Sequence, residues 1–279
     1  MKNFSKRFRF NGHKDFKLSD IATQWHGAAL TRRDEQEQSD EQAKTLSQLQ
    51  QQLYAEHKHS LLIILQGIDA AGKDGVIKHV MAGINPQGCT VTSFKKPTKE
   101  ELDHDFLWRI HQHSPRRGEI AVFNRSHYED VLVVRVHRLV EKSVWSARFE
   151  QINQFEALLC SDSSTKVLKF FLHMSPEEQL RRFKKRLEDP LRQWKISAAD
   201  YTERKFWDDY TAAYEDVLRQ TSTDHAPWYI IPSDKKWFRN FSVGQILIEA
   251  MQAMDFQLPK PSVDLAAIQR EYHDASSAK

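Results

Sequence analysis

A short glycine-rich stretch that follows a run of apolar residues constrains the fold of this chain most strongly. The run LLIILQ at residues 61–66 is apolar on both alternating faces, which is typical of a central strand covered by helices on both sides. It leads into Gly67-Ile-Asp-Ala-Ala-Gly72-Lys73, and a helix-compatible stretch begins at the lysine. This order matches the pattern GxxxxGK, in which backbone N–H groups and the lysine bind phosphates. The alternative is a glycine-rich turn that binds no ligand.

Four further runs have strand composition and are separated by long helix-compatible segments. They cover residues 89–94, 119–124, 166–173 and 228–231. Alternating strands and helices predict an α/β fold with a central five-stranded parallel sheet. Upstream, Leu46, Leu49 and Leu53 share one face of a predicted N-terminal helix. We expect a partly irregular N-terminal arm at 1–40, one domain at 41–258, and a C-terminal helix with a frayed tail at 259–279.

Composition and charge exclude several classes of protein. The 41 Lys and Arg residues against 38 Asp and Glu leave a net charge of +3, too small for a general nucleic-acid-binding coat. An anionic partner must therefore meet local clusters, such as Lys95, Lys96 and Lys99. No stretch approaches the roughly 18 apolar residues of a membrane span, so we expect no membrane partner. Two cysteines cannot form a metal cage, and a reducing cytoplasm fits them best.

Two positions in the loop region depart from the usual pattern. Residue 74 is Asp, whereas the usual Ser or Thr holds Mg²⁺. Asp69 lies inside the loop, where bare phosphates would repel it unless a cation or an acceptor group intervenes. We therefore predict bound Mg²⁺, with Mn²⁺ as a substitute; in the alternative interpretation Asp69 points outward and caps the following helix. The loop residues expected to contact substrate are Gly67, Ala70, Ala71, Gly72, Asp74 and Gly75.

The strand at 119–124 runs directly into a second polar segment, NRSHYED at 124–130. Because the carboxyl ends of parallel strands carry ligands, this segment should face the same crevice as the phosphate loop. Glu129 or Asp130 could supply a metal-binding carboxylate. We interpret Arg125 as a bidentate phosphate clamp, with a surface salt bridge as the alternative. We interpret His127 as a packed or hydrogen-bonding residue, because phosphoryl transfer needs mainly positioning and charge neutralisation.

A basic cluster lies on a helix that Ser175 and Pro176 are predicted to open. Lys and Arg fill five of the six positions 181–186, and Arg182 and Arg186 share one face. A solvated charged face is the usual explanation of such a run. Enzymes that transfer phosphate, however, place arginines on mobile lids, so we predict a lid at about 175–200.

The motif GIDAAGKDG, together with KKPTKEELDHDFLWRIHQHSPRRGEIAVFNRSHYEDVLVVRVH, resembles the polyphosphate kinase 2 family. The similarity runs from about residue 10 to about residue 258. It implies a P-loop kinase fold similar to thymidylate kinase, with a helical lid. It also implies Mg²⁺-dependent, reversible transfer of phosphoryl groups between inorganic polyphosphate and nucleotides. The chain resembles the subgroup that accepts nucleoside monophosphates, which implies conversion of AMP to ADP and of ADP to ATP.

The resemblance also bears on single residues. Much of the family reads Asp-Arg-Ser-Trp-Tyr-Asn in the second segment, where this chain has Asn124 and Glu129, so Asn124 is not assigned as a metal ligand. We assign Asp69 and Asp130 as metal ligands, and Glu129 and Arg117 as substrate-binding residues. The residues assigned as catalytic are Asp69, Lys73, Arg125, Asp130, Arg182 and Arg186.

The two expected substrates need different surroundings. Polyphosphate offers no base or sugar to read, so a groove of Lys and Arg suffices, whereas a nucleotide also needs an apolar slot. The expected partners are polyphosphate, AMP, ADP and ATP, with guanine nucleotides as further candidates, and copies of this chain in a homo-oligomer. The candidate residues for the apolar slot are Phe106, Trp108, Tyr128 and Trp194.

Two other functions remain as alternatives. An ATP-dependent nucleoside monophosphate kinase would share the phosphate loop. A non-catalytic P-loop protein would bind nucleic acid through residues 181–186, but the small net charge and the lack of an RNA-binding signature count against it.

Overall fold

A computed structural model describes residues 3–12, 15–26, 32–162 and 164–277. Its five-stranded sheet has the order β2-β3-β1-β4-β5, and every neighbouring pair is parallel. The predicted parallel sheet with residues 61–66 at its centre is confirmed, and each strand begins and ends within one residue of its predicted bounds. The strands are β1 (Ser60–Gln66), β2 (Cys89–Ser93), β3 (Ile120–Asn124), β4 (Thr165–His173) and β5 (Trp228–Pro232).

Helices connect the strands, and the predicted N-terminal helix begins at residue 32, earlier than its leucines required. The predicted lid region contains a helix at 176–188, whose N-cap Ser175 accepts a hydrogen bond from Glu178 N as predicted. In chain order the described helices are α1 (Phe4–Phe8), α2 (Arg32–Glu56), α3 (Lys73–Val80), α4 (Lys99–Leu102), α5 (Trp108–His111), α6 (Val133–Val136), α7 (Lys142–Asp162), α8 (Pro176–Glu188), α9 (Ala198–Arg204), α10 (Trp207–Thr221), α11 (Lys236–Gln252) and α12 (Leu265–Ser277).

The helices cover both faces of the sheet and create two hydrophobic cores. Leu61, Ile63 and Leu65 of β1 pack on one face with side chains of α2, α3 and α11. Leu62 and Ile64 pack on the other face with side chains of α7 and α10. Because β1 is buried along its whole length, both sets of its alternating side chains must be apolar.

The segment from residue 4 to residue 10 is docked on the core. Phe4 is buried, and the backbone N–H groups of Phe4 and Ser5 donate to the carboxylate of Glu249 in α11, at 2.9 and 2.8 Å. Phe10 N donates to Trp228 O at 2.8 Å. At the other terminus, α12 buries none of its residues. The predicted domain limits at residues 40 and 258 stay predictions.

The state of the cysteines and the length of the helices are two further features of the described residues. Cys89 and Cys160 are both free thiols. Within the described ranges, every helix is too short or too polar to cross a membrane.

Candidate active site

The carboxyl ends of β1, β2 and β3 open into one cavity of about 1290 Å³. The phosphate loop and the polar segment after β3 both line this cavity, as expected for a parallel sheet. Fourteen Lys and Arg side chains of the described residues line it, against four Asp and Glu. Although the whole chain carries a net charge of only +3, the charge at this site favours polyanions.

The loop between β1 and α3 curls tightly because three of its residues have positive φ angles. These are Gly67 at 152°, Ala70 at 65° and Gly72 at 106°. A Cβ atom at Gly67 would lie 3.0 Å from the carbonyl oxygen of Leu172. The glycines of the motif are therefore required by the shape of the backbone.

Two buried arginines hold the loop in this shape. Arg182 in α8 donates through Nη1 to the carbonyl oxygens of Ala70 and Ala71, each at 2.8 Å. Arg239 in α11 donates to Ala71 O at 3.1 Å, and a Cβ atom at Gly72 would collide with its guanidinium. Carbonyl oxygens that would repel an anion are thereby paired with positive charge.

Arg182 does not fit the role of a mobile lid arginine that the sequence predicted. Its side chain is 6% exposed, and all five N–H groups face protein oxygens. Helical spacing placed Arg182 on the same face as Arg186 but gave no information on the loops that pack against that face. Arg186 is more exposed and donates to Lys195 O at 3.2 Å, so its catalytic role stays a prediction. The acceptors around Arg182 are Glu178 Oε1 and the carbonyl oxygens of Ala70, Ala71, Ser233 and Asp234.

Lys73, the first residue of α3, folds back over the loop. Its Nζ donates to Gly67 O at 2.7 Å, and the residue is 8% exposed. Burial lowers the pKa of Lys73 to about 8, and the nearby charge of Arg125 adds to this effect. A phosphate oxygen beside Nζ would favour the charged amine again, which suits a phosphate-binding lysine.

An ion pair joins the loop to the segment after β3. Arg125 Nη2 donates to Asp69 Oδ1 at 2.7 Å, and Arg125 Nη1 lies 3.6 Å from Glu129 Oε2. Asp69 pairs with Arg125 and lines the cavity, so the alternative in which Asp69 points outward and caps α3 is contradicted. Arg125 forms a salt bridge, as its alternative interpretation held, but it also lines the cavity. Its role as a phosphate clamp stays a prediction.

Asp130 is buried beside two arginines at the edge of the cavity. Its Oδ1 accepts from Arg148 Nη1 at 3.4 Å, and its Oδ2 lies 3.7 Å from Arg109 Nη2. Oδ2 has no hydrogen-bond partner among the described residues. Burial raises the pKa of Asp130 to about 6, which Arg148 and Arg109 offset only in part. The carboxylate thus lies at the edge of the cavity with its burial only partly offset by the two arginines.

The predicted metal ligands Asp69 and Asp130 both line the cavity, but they face different arginines. In the described part of the chain, no group of three or more His, Cys, Asp or Glu side chains could hold a metal ion. Mg²⁺ commonly binds through one or two carboxylates and completes its shell with water and substrate phosphates. The carboxylates therefore fit a metal that binds together with phosphate, and the assignment of both ligands stays a prediction.

The two departures from the usual pattern contact each other. Asn124 Nδ2 at the end of β3 donates to Asp74 Oδ1 at 2.9 Å. Lys195 Nζ lies 3.3 Å from the other oxygen of Asp74. The end of β3 carries Asn124 in place of the family's Asp, and the carboxylate of Asp74 on α3 lies beside it.

The lining of the cavity differs between its two sides. Every lining residue that follows β4 or β5 is Lys or Arg, and we call this set the cationic wall: Arg182, Lys185, Arg186, Arg192, Lys195, Lys236 and Arg239. Apart from Ala70 in the phosphate loop, the apolar lining residues all follow β2 or β3, and we call them the apolar wall: Phe94, Pro97, Leu102, Val133, Val134, Leu139 and Val140. Basic residues lie on this side too, namely Lys95, Lys96, Arg109, Arg125 and Arg148. Since β1 separates these strand pairs in the sheet, the two walls flank the phosphate loop.

The prediction of an aromatic slot is wrong for all four candidates, since none lines the cavity. Tyr128 is fully buried, and Trp194 is 78% exposed. Phe106 packs under Arg148, and Trp108 stacks on His104. The apolar wall is mainly aliphatic, and its residues Val133 and Val134 belong to α6, where the sequence showed only a helix-compatible segment.

Arg117 lies away from the site, so its assignment as a substrate-binding residue is wrong. It is exposed and lies three residues before β3 begins, at the amino ends of the strands. The cavity lies at their carboxyl ends. The arginine pair revealed a charge but not the end of the sheet at which it lies.

Sequence reasoning gave no role to five cationic residues that line the cavity outside the predicted lid: Lys78, Arg109, Arg148, Lys236 and Arg239. Lys78 lies on the helix after the phosphate loop, and Arg109 lies within the long segment that resembles the family. The other three lie outside every motif and reach the site through long-range packing. His127 is fully buried and lies 3.2 Å from Glu156, which confirms its interpretation as a packed residue.

Three comparisons with known proteins agree with one another. The family model described as polyphosphate kinase 2 matches residues 29–259. The AMP/ADP-polyphosphate phosphotransferase of Meiothermus ruber is 50% identical over 218 residues, covering 78% of this chain and 81% of that protein. The ADP-polyphosphate phosphotransferase of Rhodopseudomonas palustris is 48% identical over 231 residues, covering 78% and 80%. The crystal structure of polyphosphate kinase 2 from Arthrobacter aurescens matches with a TM-score of 0.93 and 37% identity, covering 98% of this chain and 97% of that chain.

Proposed function

Because the chain belongs to the polyphosphate kinase 2 family, we propose that its cavity binds inorganic polyphosphate along the cationic wall and a nucleotide against the apolar wall. The protein is a phosphotransferase that moves phosphoryl groups between these two substrates. The observation that carries the proposal is the pair of unlike walls on either side of the phosphate loop. A polyanion without bases suits one wall, and a base suits the other.

The reaction follows from positioning and charge neutralisation. Lys73 and the loop N–H groups bind the terminal phosphoryl group of the polymer. An acceptor phosphate oxygen forms a bond to its phosphorus as the anhydride bond to the shortened polymer breaks, and the polymer keeps the electron pair. Bound Mg²⁺ would neutralise phosphate charge, and Asp69 and Asp130 are the carboxylates that would hold it.

One assay tests this function against its alternatives. The purified protein is given AMP or ADP with Mg²⁺, and either polyphosphate or ATP as donor. ADP and ATP formed from polyphosphate support the proposal. Turnover of AMP with ATP alone would instead indicate an ATP-dependent monophosphate kinase, and no turnover would leave a non-catalytic P-loop protein. Chelation by EDTA should abolish transfer, and Mg²⁺ or Mn²⁺ should restore it.

We extend the proposal to the acceptors and partners of the protein. GMP and GDP are further acceptors to be tested in the same assay. We propose a homo-oligomer that binds no nucleic acid and resides in the cytoplasm. Light scattering measures the first property, and an electrophoretic shift assay with RNA measures the second.

Glu129 provides a test of acceptor length. Its carboxylate lies 3.6 Å from Arg125 and lines the cavity, where it should repel a second acceptor phosphate more than a single one. In Glu129→Asn, the ratio of kcat/KM for AMP to kcat/KM for ADP should fall by roughly fivefold or more, because ADP becomes the better acceptor. The exposed Glu188→Gln serves as the control. An unchanged ratio would show that Glu129 does not set acceptor length.

A further inference from the structure

A network of buried polar groups lies in the core next to the turn at His127–Asp130. Its centre is an ion pair between two fully buried side chains, Lys169 of β4 and Glu156 of α7, with Nζ 2.6 Å from Oε2. Lys169 also donates to Tyr128 Oη at 2.9 Å and to Thr221 O at 2.6 Å. All three donors of the ammonium group are thus used.

The second oxygen of Glu156 holds two consecutive residues of the turn. Glu156 Oε1 accepts from Tyr128 Oη at 2.8 Å, and His127 Nε2 lies 3.2 Å from the same atom. Burial lowers the pKa of His127, and Nε2 is the donor in this contact because a carboxylate oxygen accepts. One carboxylate therefore fixes the side chains of His127 and Tyr128 together.

The next two residues of the same turn face the cavity. Glu129 and Asp130 both line it, while His127 and Tyr128 are fully buried. The turn is also closed locally, since Ser126 Oγ accepts from Tyr128 N at 3.2 Å. In so short a segment, the orientation of the buried pair determines where the two carboxylates point.

Stability alone does not account for the ion pair. Two charges without solvent exposure lose their hydration, and apolar residues of similar volume are often neutral or stabilising in such positions. Apolar residues would fit in this position, because Phe155 and Trp228 already pack around the network. The Glu156–Lys169 pair is better explained by the orientation that it gives to the side chains of His127 and Tyr128.

We propose that the Glu156–Lys169 pair is a positioning device for Glu129 and Asp130, and that it thereby sets the preference of the enzyme among nucleotide acceptors. The inference rests on the proposed function, because it assigns these residues to the acceptor side of the site. It concerns residues that never contact substrate.

The decisive variant is the double substitution Glu156→Gln/Lys169→Met. It removes both charges, keeps the side-chain sizes, and leaves an amide oxygen to accept from Tyr128. We expect the ratio of kcat/KM for AMP to that for ADP to change by roughly fivefold or more, while KM for polyphosphate stays within about twofold. A folded variant with an unchanged ratio would overturn the inference, whether its turnover is normal or uniformly reduced.

A second variant covers the case in which the double substitution does not fold. Tyr128→Phe removes one hydroxyl group and leaves the ion pair in place, and we expect a ratio shift in the same direction of roughly twofold or more. An unchanged ratio in Tyr128→Phe would overturn the inference. The matched control is Thr165→Val, which breaks the buried 2.8 Å contact with Ser60 at the other end of β4. It should lower the melting temperature without changing the ratio.

The activity of the unsubstituted enzyme distinguishes failure of the proposed function from failure of the positioning inference. If it does not convert AMP or ADP with polyphosphate, the proposed function fails. If it converts both, and the variants keep its acceptor ratio, only the positioning inference fails.

Discussion

Lys73 is held by a carbonyl oxygen of its own loop, at 2.7 Å from Gly67 O. Replacing it with Ala removes the charge that a transferred phosphoryl group needs, and it removes little from the hydrophobic core. We expect turnover to fall more than roughly a hundredfold, which corresponds to about 3 kcal/mol of transition-state stabilisation. The exposed Lys44→Ala on α2 is the control. Near-normal turnover in Lys73→Ala with an unchanged circular dichroism spectrum would contradict the phosphate-loop assignment.

The charged carboxylate of Asp130, an assigned catalytic residue, lowers the stability of the folded state. Its pKa rises from 3.8 to about 6 on folding because the carboxylate is buried. The folded state therefore binds this proton more tightly, so the charged group destabilises the fold fully above pH 6 and hardly at all below pH 4. The cost above pH 6 is on the order of 2 to 3 kcal/mol.

Asp130→Asn should consequently melt several degrees higher than the parent at pH 7.5, and this difference should disappear as the pH falls from 6 to 4. Transfer activity should fall in the same variant. Thermal melts across this pH range provide the measurement, with the exposed Asp103→Asn as the control. A constant difference in melting temperature across the range would show that Asp130 is not the titrating group.

At the scale of elements, α8 combines two arginines with different surroundings. Arg182 donates to four carbonyl oxygens and to Glu178, whereas Arg186 donates to one carbonyl oxygen at 3.2 Å. Arg182→Ala should leave these oxygens unpaired and lower the melting temperature by roughly 5 °C or more. Arg186→Ala should change it little and should raise KM for polyphosphate. Equal melting temperatures for the two variants would contradict this division.

The elements were predictable because each strand carries its own signal. The run at 61–66 is apolar on both faces because helices cover both sides of β1, and the glycines that follow have positive φ. The contacts between distant elements were not predictable in this way. Arg239 reaches the loop from α11 and Arg117 lies at the opposite end of the sheet, although both are simply basic residues in the sequence. Residue type gives charge, but packing decides which charge meets the substrate.

For the whole molecule, the two termini contribute unequally to stability. Deleting residues 1–12 removes buried Phe4 and Phe10 and the groups that donate to Glu249. At about 2 kcal/mol for each buried side chain, the melting temperature should fall by roughly 10 °C. Deleting residues 265–279 removes α12, which buries none of its described residues, and should change it little. Similar melts for both deletions would show that the N-terminal docking is not stabilising.

The docking of Phe4 and Ser5 on Glu249 also imposes an order on biosynthesis. The partners are separated by 245 and 244 residues, so the ribosome makes the N-terminal segment long before the helix that receives it. At about 5 to 20 residues per second, the interval is roughly 10 to 50 s. During this time the phenylalanines of the segment have no native site, and a nascent chain must keep them from aggregating until α11 has emerged.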